Sequence, residues 1–294
     1  MIDAQIGMEI DRIVRTALAE DLGQAGDLTT ATTVPSDIQG SAHLIARQDG
    51  VVSGVRAAQH AFDLVDASLE VDWFVSDGAT VAPGTRIATV AGSAASILTA
   101  ERTALNLLGH LSGIATRTAG FVRLVDGTGA RIADTRKTTP GLRALEKRAV
   151  ADGGGVNHRF GLHDAILVKD NHIGLGGGLD KVLARLAERT GHLVRVEVEV
   201  DTLDQLRELL AFDADRLGRH LPPVVHGVLL DNMTPDLIRE AVGLIDDHPA
   251  SLVIEVSGGV DETTVRGLAE AGAQIISIGA LTHSVRTLDI GLDL

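Results

Sequence analysis

The chain has 294 residues, with 26 Lys and Arg against 40 Asp and Glu for a formal net charge of −14, which argues against a nucleic-acid groove or an anionic membrane surface as its main partner. Aromatic residues make up 2% with no Tyr, so base-stacking platforms and membrane aromatic belts are not expected. Cysteine is absent, which excludes disulfides, thiolate metal sites, iron–sulfur clusters and cysteine nucleophiles.

This length corresponds to about two domains or one large α/β barrel. No apolar run is long enough to span a bilayer, and the acidic start MIDAQIGMEIDR lacks the basic head and apolar core of a secretion signal. A cytoplasmic protein is expected.

In chain order, Ile6, Ile10, Ile13, Val14, Ala17 and Leu18 recur at helical spacing and predict a first helix over about 20 residues. EDLGQAGDLTT then reads as turn-rich. Residues 40–56 and 69–91 read as β structure punctuated by Asp77-Gly78 and Pro83-Gly84, with a helix from Ala57 to Val65 between them. A long helix follows from about Ile97 to Val125, with Gly113 as a candidate break. These elements predict a small α+β domain ending near residue 115.

Beyond it the rhythm changes. RIADT, AILVK, LVRVEVEV, GVLLDN, SLVIEVSGG and QIISIGA alternate with amphipathic helices, the pattern of parallel βα units, here read as a barrel. Active sites of such barrels lie at the C-terminal strand ends. Those ends carry Asp134 to Lys137, then Lys169 to His172, Glu197 and Glu199, Asp231-Asn232, Glu255 with Ser257-Gly258-Gly259, and Gly279-Ala280.

Charge is distributed unevenly over these ends. Between Arg131 and His172 eight Arg and Lys face five Asp and Glu, although the whole chain is acidic. A cationic mouth suits a small, strongly anionic substrate. Arg143, Lys147 and Arg148 read instead as ordinary exposed charges of a helix begun by Pro140. Ser257-Gly258-Gly259 and Gly279-Ala280 at neighbouring strand ends suit a phosphate, the alternative being two tight turns. Glu197 and Glu199 share one strand face, and Glu199 with Asp231 suits Mg²⁺ held jointly with a substrate's oxygens. No HxxxH or HxH pair is present, so a catalytic zinc is not expected. His163 and His172 read as structural, and His158 beside Arg159 as a substrate contact.

The segment DTRKTTPGLRALEKRAVADGGGVNHRFGLHDAILVKDNHI, residues 134–173, resembles the signature of the quinolinate phosphoribosyltransferases. VEVEV, LLDNM, EVSGGV and SIGALTHS follow in the family's order, and EDLGQAGDLTT and LTAERTALNLLGHLSGIAT precede it. The resemblance covers nearly the whole chain. It implies an α/β fold with an N-terminal open α/β sandwich domain, residues 1–115 joined by about 283–294, and an incomplete parallel α/β barrel over 116–282. The implied reaction transfers phosphoribosyl from phosphoribosyl pyrophosphate to quinolinate with loss of CO₂, giving nicotinate mononucleotide and pyrophosphate in NAD biosynthesis.

The resemblance further implies Mg²⁺ as cofactor and a homodimer or an assembly of dimers. Arg136, His158, Arg159 and Lys169 would grip quinolinate, with Arg102 supplied by the neighbouring subunit. Lys137, Glu199 and Asp231 would face ribose, pyrophosphate and metal. Ser257, Gly258, Gly259, Gly279 and Ala280 would hold the 5′-phosphate. After decarboxylation the ring carbanion needs a proton, for which Lys137 is favoured over Lys169.

Two features depart from the family pattern: the long segment 212–226, read as a surface insertion or a subunit contact, and Arg148, where an aromatic is usual. Three other readings compete with the transferase. One is a relative using another aromatic acid, one a Schiff-base aldolase built on Lys169, and one a phosphate-binding regulator without turnover.

Overall fold

A computed structural model describes residues 3–294. The elements are α1 (Asp3–Leu22), α2 (Leu28–Thr33), β1 (Gln39–Ala46), β2 (Gly50–Val51), α3 (Val55–Val65), β3 (Glu70–Trp73), β4 (Thr80–Val81), β5 (Arg86–Ser93) and α4 (Ala94–Leu124). Then come β6 (Arg131–Ala133), α5 (Arg143–Asp152), β7 (Ile166–Val168), α6 (Asp170–Gly176), α7 (Leu179–Arg189), β8 (Val196–Val200), α8 (Leu203–Gly218) and β9 (Gly227–Asp231). The chain ends with α9 (Pro235–Asp246), β10 (Val253–Ser257), α10 (Val265–Glu270), β11 (Ile275–Ser277), α11 (Ala280–His283) and β12 (Ile290–Asp293).

The chain forms two compact units. The first takes in residues up to 120, 137–155 and 280–294, and the second residues 121–136 and 156–279. Segment 137–155, read from sequence as part of the barrel, thus packs with the first unit.

In the first unit an antiparallel sheet runs β12-β1-β5-β3, so the C-terminal strand returns to pair with β1, His43 opposite Asp293. Helix α1 buries Ile6, Ile10, Ile13, Val14 and Leu18, the stripe its spacing predicts. The turn-rich stretch at 20–30 contains α2, which Asp27 caps by accepting the Thr30 N–H at 2.9 Å. Helix α4 does not break at Gly113. A Cβ there would lie 2.2 Å from the Arg286 carbonyl oxygen, and the Gly109 carbonyl accepts the Leu288 N–H at 3.0 Å. Gly113 is there for close approach of the returning C-terminal segment, and the helix pays no break for it.

Helix α5 corrects the sequence reading in one respect. Lys147 is 3% exposed, not a solvated charge, and Glu146 is fully buried. Glu146 accepts the Thr139 N–H at 3.0 Å and pairs with His110 at 2.9 Å, so this face of α5 anchors the start of 137–142. Arg143 donates to the Thr138 hydroxyl at 3.0 Å, while Arg148 is exposed and pairs with Asp152.

The second unit is a parallel sheet in the order β6-β11-β10-β9-β8-β7. Strands β6 and β7 do not pair, which leaves the barrel incomplete. Val196, Val198 and Val200 are buried on one side of β8. Segment 212–226 continues α8, and the fully buried Asp213 carboxylate accepts the Val224 and Val225 N–H groups at 2.9 and 3.0 Å. No helix among the described residues is long and apolar enough to cross a membrane.

Candidate active site at the strand ends of the parallel sheet

The site is built outward from β6. Segment 156–158 lies beside that strand: Val156 bridges Ala133, and the Asp134 N–H donates to the Val156 carbonyl at 3.2 Å. The Asp134 carboxylate, fully buried, accepts the His158 N–H at 2.8 Å. The next turn is closed by Asp164, which accepts the Phe160 and Gly161 N–H groups at 2.5 and 3.1 Å. Arg159 therefore leaves a backbone pinned on both sides, and its Nη1 donates to the Ala165 carbonyl at 2.9 Å.

Arg136 lies close enough to Arg159 for its guanidinium to disfavour the Arg159 charge. Burial first, and then the Arg136 charge, lower the Arg159 pKa from its ordinary value. Among the described residues, three buried side-chain polar atoms lack a hydrogen-bond partner: Arg136 Nε, Arg159 Nε and Glu255 Oε1. All three belong to this site. Buried unmade hydrogen bonds cost about 1–3 kcal/mol each, and two such donors on neighbouring cations favour an anion that satisfies both.

Two carboxylate groups of β8 point to the same interior face, as their spacing predicts. Glu197 faces His158, with Oε2 3.1 Å from Nε2, and Glu255 of β10 approaches the same nitrogen at 3.5 Å. Burial, then the Glu197 charge, raise the Glu255 pKa to about 7. His158, Glu197 and Glu255 have metal-capable atoms within 4.8 Å of one another, a constellation that a search for paired histidines passes over. Glu199, 7% exposed, pairs with Lys169 of the neighbouring strand end. Burial raises its pKa, Lys169 opposes that shift, and the Asp231 charge adds to it, so Asp231 shares the site. His172 is structural as expected: its Nδ1 accepts the Lys169 N–H at 2.8 Å.

After β10 the backbone turns through Gly258 and Gly259, at φ +94° and +59°. A Cβ on Gly258 would lie 2.2 Å from Asn232 Oδ1. Both the left-handed backbone and the close approach of the β9 loop therefore require glycine. Arg136, His158, Arg159, Lys169, Glu199, Asp231, Ser257, Gly258, Gly259 and Gly279 all lie in the second unit.

Arg102, Lys137 and Ala280 belong to the first unit. The Arg102 side chain on α4 is 63% exposed, with Glu101 3.8 Å away. Lys137 directly follows Arg136 in the chain, and its carbonyl accepts the Thr282 hydroxyl at 2.7 Å. Glu197 and Glu255 are the functional candidates that the sequence reading left out of its site. Their signal was strand parity, since each stands two residues before a chosen residue, Glu199 or Ser257.

Known proteins share this sequence and fold over nearly the whole chain. The family model "Quinolinate phosphoribosyl transferase, C-terminal domain" matches residues 114–293, and its N-terminal counterpart matches 27–112. The chain is 43% identical over 283 residues to the nicotinate-nucleotide pyrophosphorylase [carboxylating] of Mycobacterium leprae, covering 96% of this chain and 95% of the relative. It is 38% identical over 286 residues to a probable enzyme of the same name from Bacillus subtilis, covering 97% and 93%. The solved nicotinate-nucleotide pyrophosphorylase of Francisella tularensis superposes with a TM-score of 0.88 at 35% identity, over 100% of this chain and 97% of that one. With both family models matched in order along the chain, this protein belongs to the quinolinate phosphoribosyltransferase family.

Proposed function

We propose that the adjacent guanidiniums of Arg136 and Arg159 receive the carboxylates of quinolinate. The chain is a pentosyltransferase that moves phosphoribosyl from phosphoribosyl pyrophosphate to quinolinate, releasing CO₂ and pyrophosphate and forming nicotinate mononucleotide for NAD biosynthesis. The observation that carries the substrate assignment is the pair of buried, unpartnered Nε–H donors on neighbouring cations. Quinolinate brings two adjacent carboxylates, and guanidinium binds carboxylate in a fixed planar geometry. Lys169 adds a third positive charge at the same strand ends, and His158 stands beside Arg159.

Glu199 and Asp231 offer the hard oxygen donors that suit Mg²⁺ shared with a diphosphate. Bound there, the ion would offset charge on the departing pyrophosphate. The chain's own residues hold the pyridine nitrogen near the ribose and exclude water while the sugar becomes cationic. Lys137, next in sequence to Arg136, is our choice to protonate the ring carbon that loses CO₂, ahead of Lys169. Ser257, Gly258 and Gly259, with Gly279 and Ala280, take the 5′-phosphate on backbone N–H groups.

We assign a homodimer, or an assembly of dimers, in which the exposed Arg102 serves the partner's site. A cytoplasmic location fits the acidic, cysteine-free composition. The test is release of CO₂ that requires both quinolinate and phosphoribosyl pyrophosphate. Equal turnover of nicotinate, with no CO₂ formed, would overturn the substrate assignment. Borohydride trapping of Lys169 with a carbonyl compound would favour an aldolase instead.

A further inference from the structure

Beside Arg159 lies a polar trio whose purpose the reaction does not state: His158, Glu197 and Glu255. The geometry fixes the proton on the ring. Nδ1 of His158 lies 2.7 Å from the Arg159 backbone N–H, a group that can only donate. Nδ1 is therefore an acceptor and carries no proton. The ring proton sits on Nε2, where Glu197 Oε2 accepts it at 3.1 Å and Glu255 Oε1 flanks it at 3.5 Å. His158 is 14% exposed in its side chain, and Glu197 and Glu255 are 17% and 6% exposed. Both ring nitrogens are thus engaged by the protein.

We infer that Glu197 and Glu255 are positioning residues for quinolinate binding: by holding His158 as its Nε2–H tautomer, they make Nδ1 the acceptor that fixes the Arg159 main chain. The guanidinium that receives a carboxylate then starts from a set point. In this role His158 acts through Arg159. A protonated imidazole would turn an N–H toward the Arg159 N–H and release the loop. The buried Glu255, which also accepts from Ser277 of the next strand, keeps the second carboxylate in place at the Nε2 side. The Asp134 carboxylate secures the His158 backbone N–H. The Arg159 backbone is therefore fixed through His158 by Asp134 just past β6, Glu197 of β8 and Glu255 of β10, three strands that are not neighbours in the sheet.

This inference rests on the reading that Arg159 takes a quinolinate carboxylate, and two measurements separate its failure from that reading's failure. The first is steady-state kinetics of Glu197→Leu and Glu197→Gln in the full-length enzyme. The amide oxygen of Gln still accepts the Nε2–H, so Glu197→Gln should keep the quinolinate KM within about twofold of the parent. Loss of the acceptor in Glu197→Leu should raise that KM about 10- to 100-fold, the scale of a displaced binding group, with the phosphoribosyl pyrophosphate KM little changed. Equal rises in both KM values, or a Gln variant as impaired as the Leu variant, would overturn the positioning role.

The second measurement needs no variant to remain folded except for peak assignment. In protein labelled with ¹⁵N-histidine, the peak lost in His158→Gln should show a neutral ring protonated at Nε2 at neutral pH. It should remain so on addition of quinolinate. Conversion to imidazolium by quinolinate would make His158 a direct substrate contact. Loss of the Nε2 proton on adding Zn²⁺ alone would make the trio a cation site. Either result overturns the inference. If the wild type binds no quinolinate at all, the assignment of Arg159 fails, while the ring state still reports on the trio.

Discussion

Lys169 and Glu199 form an ion pair across the neighbouring parallel strands β7 and β8. The pair joins a side chain proposed as a substrate contact to one proposed as a metal ligand. Glu199 is 8% exposed in its side chain and Lys169 45%. Mg²⁺ that uses Glu199 must therefore compete with Lys169. Wild-type protein alone is expected to bind Mg²⁺ weakly in calorimetry and far more tightly with phosphoribosyl pyrophosphate present. Lys169→Met should strengthen binding of the metal alone. Tight, substrate-independent binding in the wild type that disappears in Asp231→Ala would contradict the shared-ligand reading.

Arg159→Ala should damage quinolinate use far more than phosphoribosyl pyrophosphate binding. Removing one partner of a desolvated, charge-assisted contact costs about 2–5 kcal/mol. It also relieves repulsion from Arg136, which already lowers the Arg159 pKa, so stability of the free enzyme should change little or rise. Separate titrations of the two substrates check this. Equal losses of affinity for both would remove Arg159 from the carboxylate pocket.

These two predictions use residues that could be read from the chain before its fold was known. Arg136, Lys169, Glu199 and Asp231 each stand at or just past a strand end, Arg159 follows a glycine-rich stretch, and period-two alternation in VEVEV placed Glu197 and Glu199 on one face. What could not be read was pairing between strands. Glu255 looks like one more strand carboxylate until the order β10-β9-β8 brings it to the nitrogen that Glu197 already holds. Helix α5 misled for a related reason. Lys147, four residues after Arg143, looks like a solvated charge by spacing, yet it is buried, and its neighbour Glu146 is consumed by Thr139 and His110 within the first unit. Gly113 read as a break because a glycine's lack of Cβ serves a turn and a close approach equally well, and only the returning segment at 286–288 decides between them.

Glu255 should make stability fall with rising pH. Its folded pKa, about 7, lies above the ordinary value of 4.5 because burial and Glu197 disfavour its charge. The folded state therefore binds the proton more tightly than the unfolded state. That contribution is complete below pH 4.5 and is lost as pH rises through about 7. The shift corresponds to about 3 kcal/mol as an upper bound. Denaturant melts of wild type and Glu255→Gln at a series of pH values should converge in acid and separate above neutrality, with the Gln variant the more stable there. Parallel curves across that range would remove Glu255 as the source.

Asp213→Ala should lower stability by about 2–4 kcal/mol, since it leaves the Val224 and Val225 N–H groups buried without acceptors. The long segment 212–226 is thus fixed from within, its helical start holding the stretch that leads into β9. Activity per folded molecule should be unchanged, because the carboxylate lies on α8 and takes no part at the strand ends. A selective loss of turnover with an unchanged Tm would point to a role for the segment in the site.

Arg102 offers the sharpest test of assembly. It lies on α4 in the first unit, exposed, while Leu105 and Leu108 on the same helix are buried. Its neighbour Glu101 is 3.8 Å away, a surface pair worth under about 1 kcal/mol. If that pair were its whole role, Arg102→Ala would leave activity nearly intact. If Arg102 serves the partner's site, Arg102→Ala and Arg136→Ala should each abolish turnover alone. Mixing the two proteins under conditions of subunit exchange should then restore activity. Each mixed dimer carries one site with both defects and one with neither, so random exchange should return about one quarter of the wild-type rate. Exchange is confirmed separately by mass spectrometry of isotopically labelled subunits. A mixture that exchanges and stays inactive would place the action of Arg102 within its own chain.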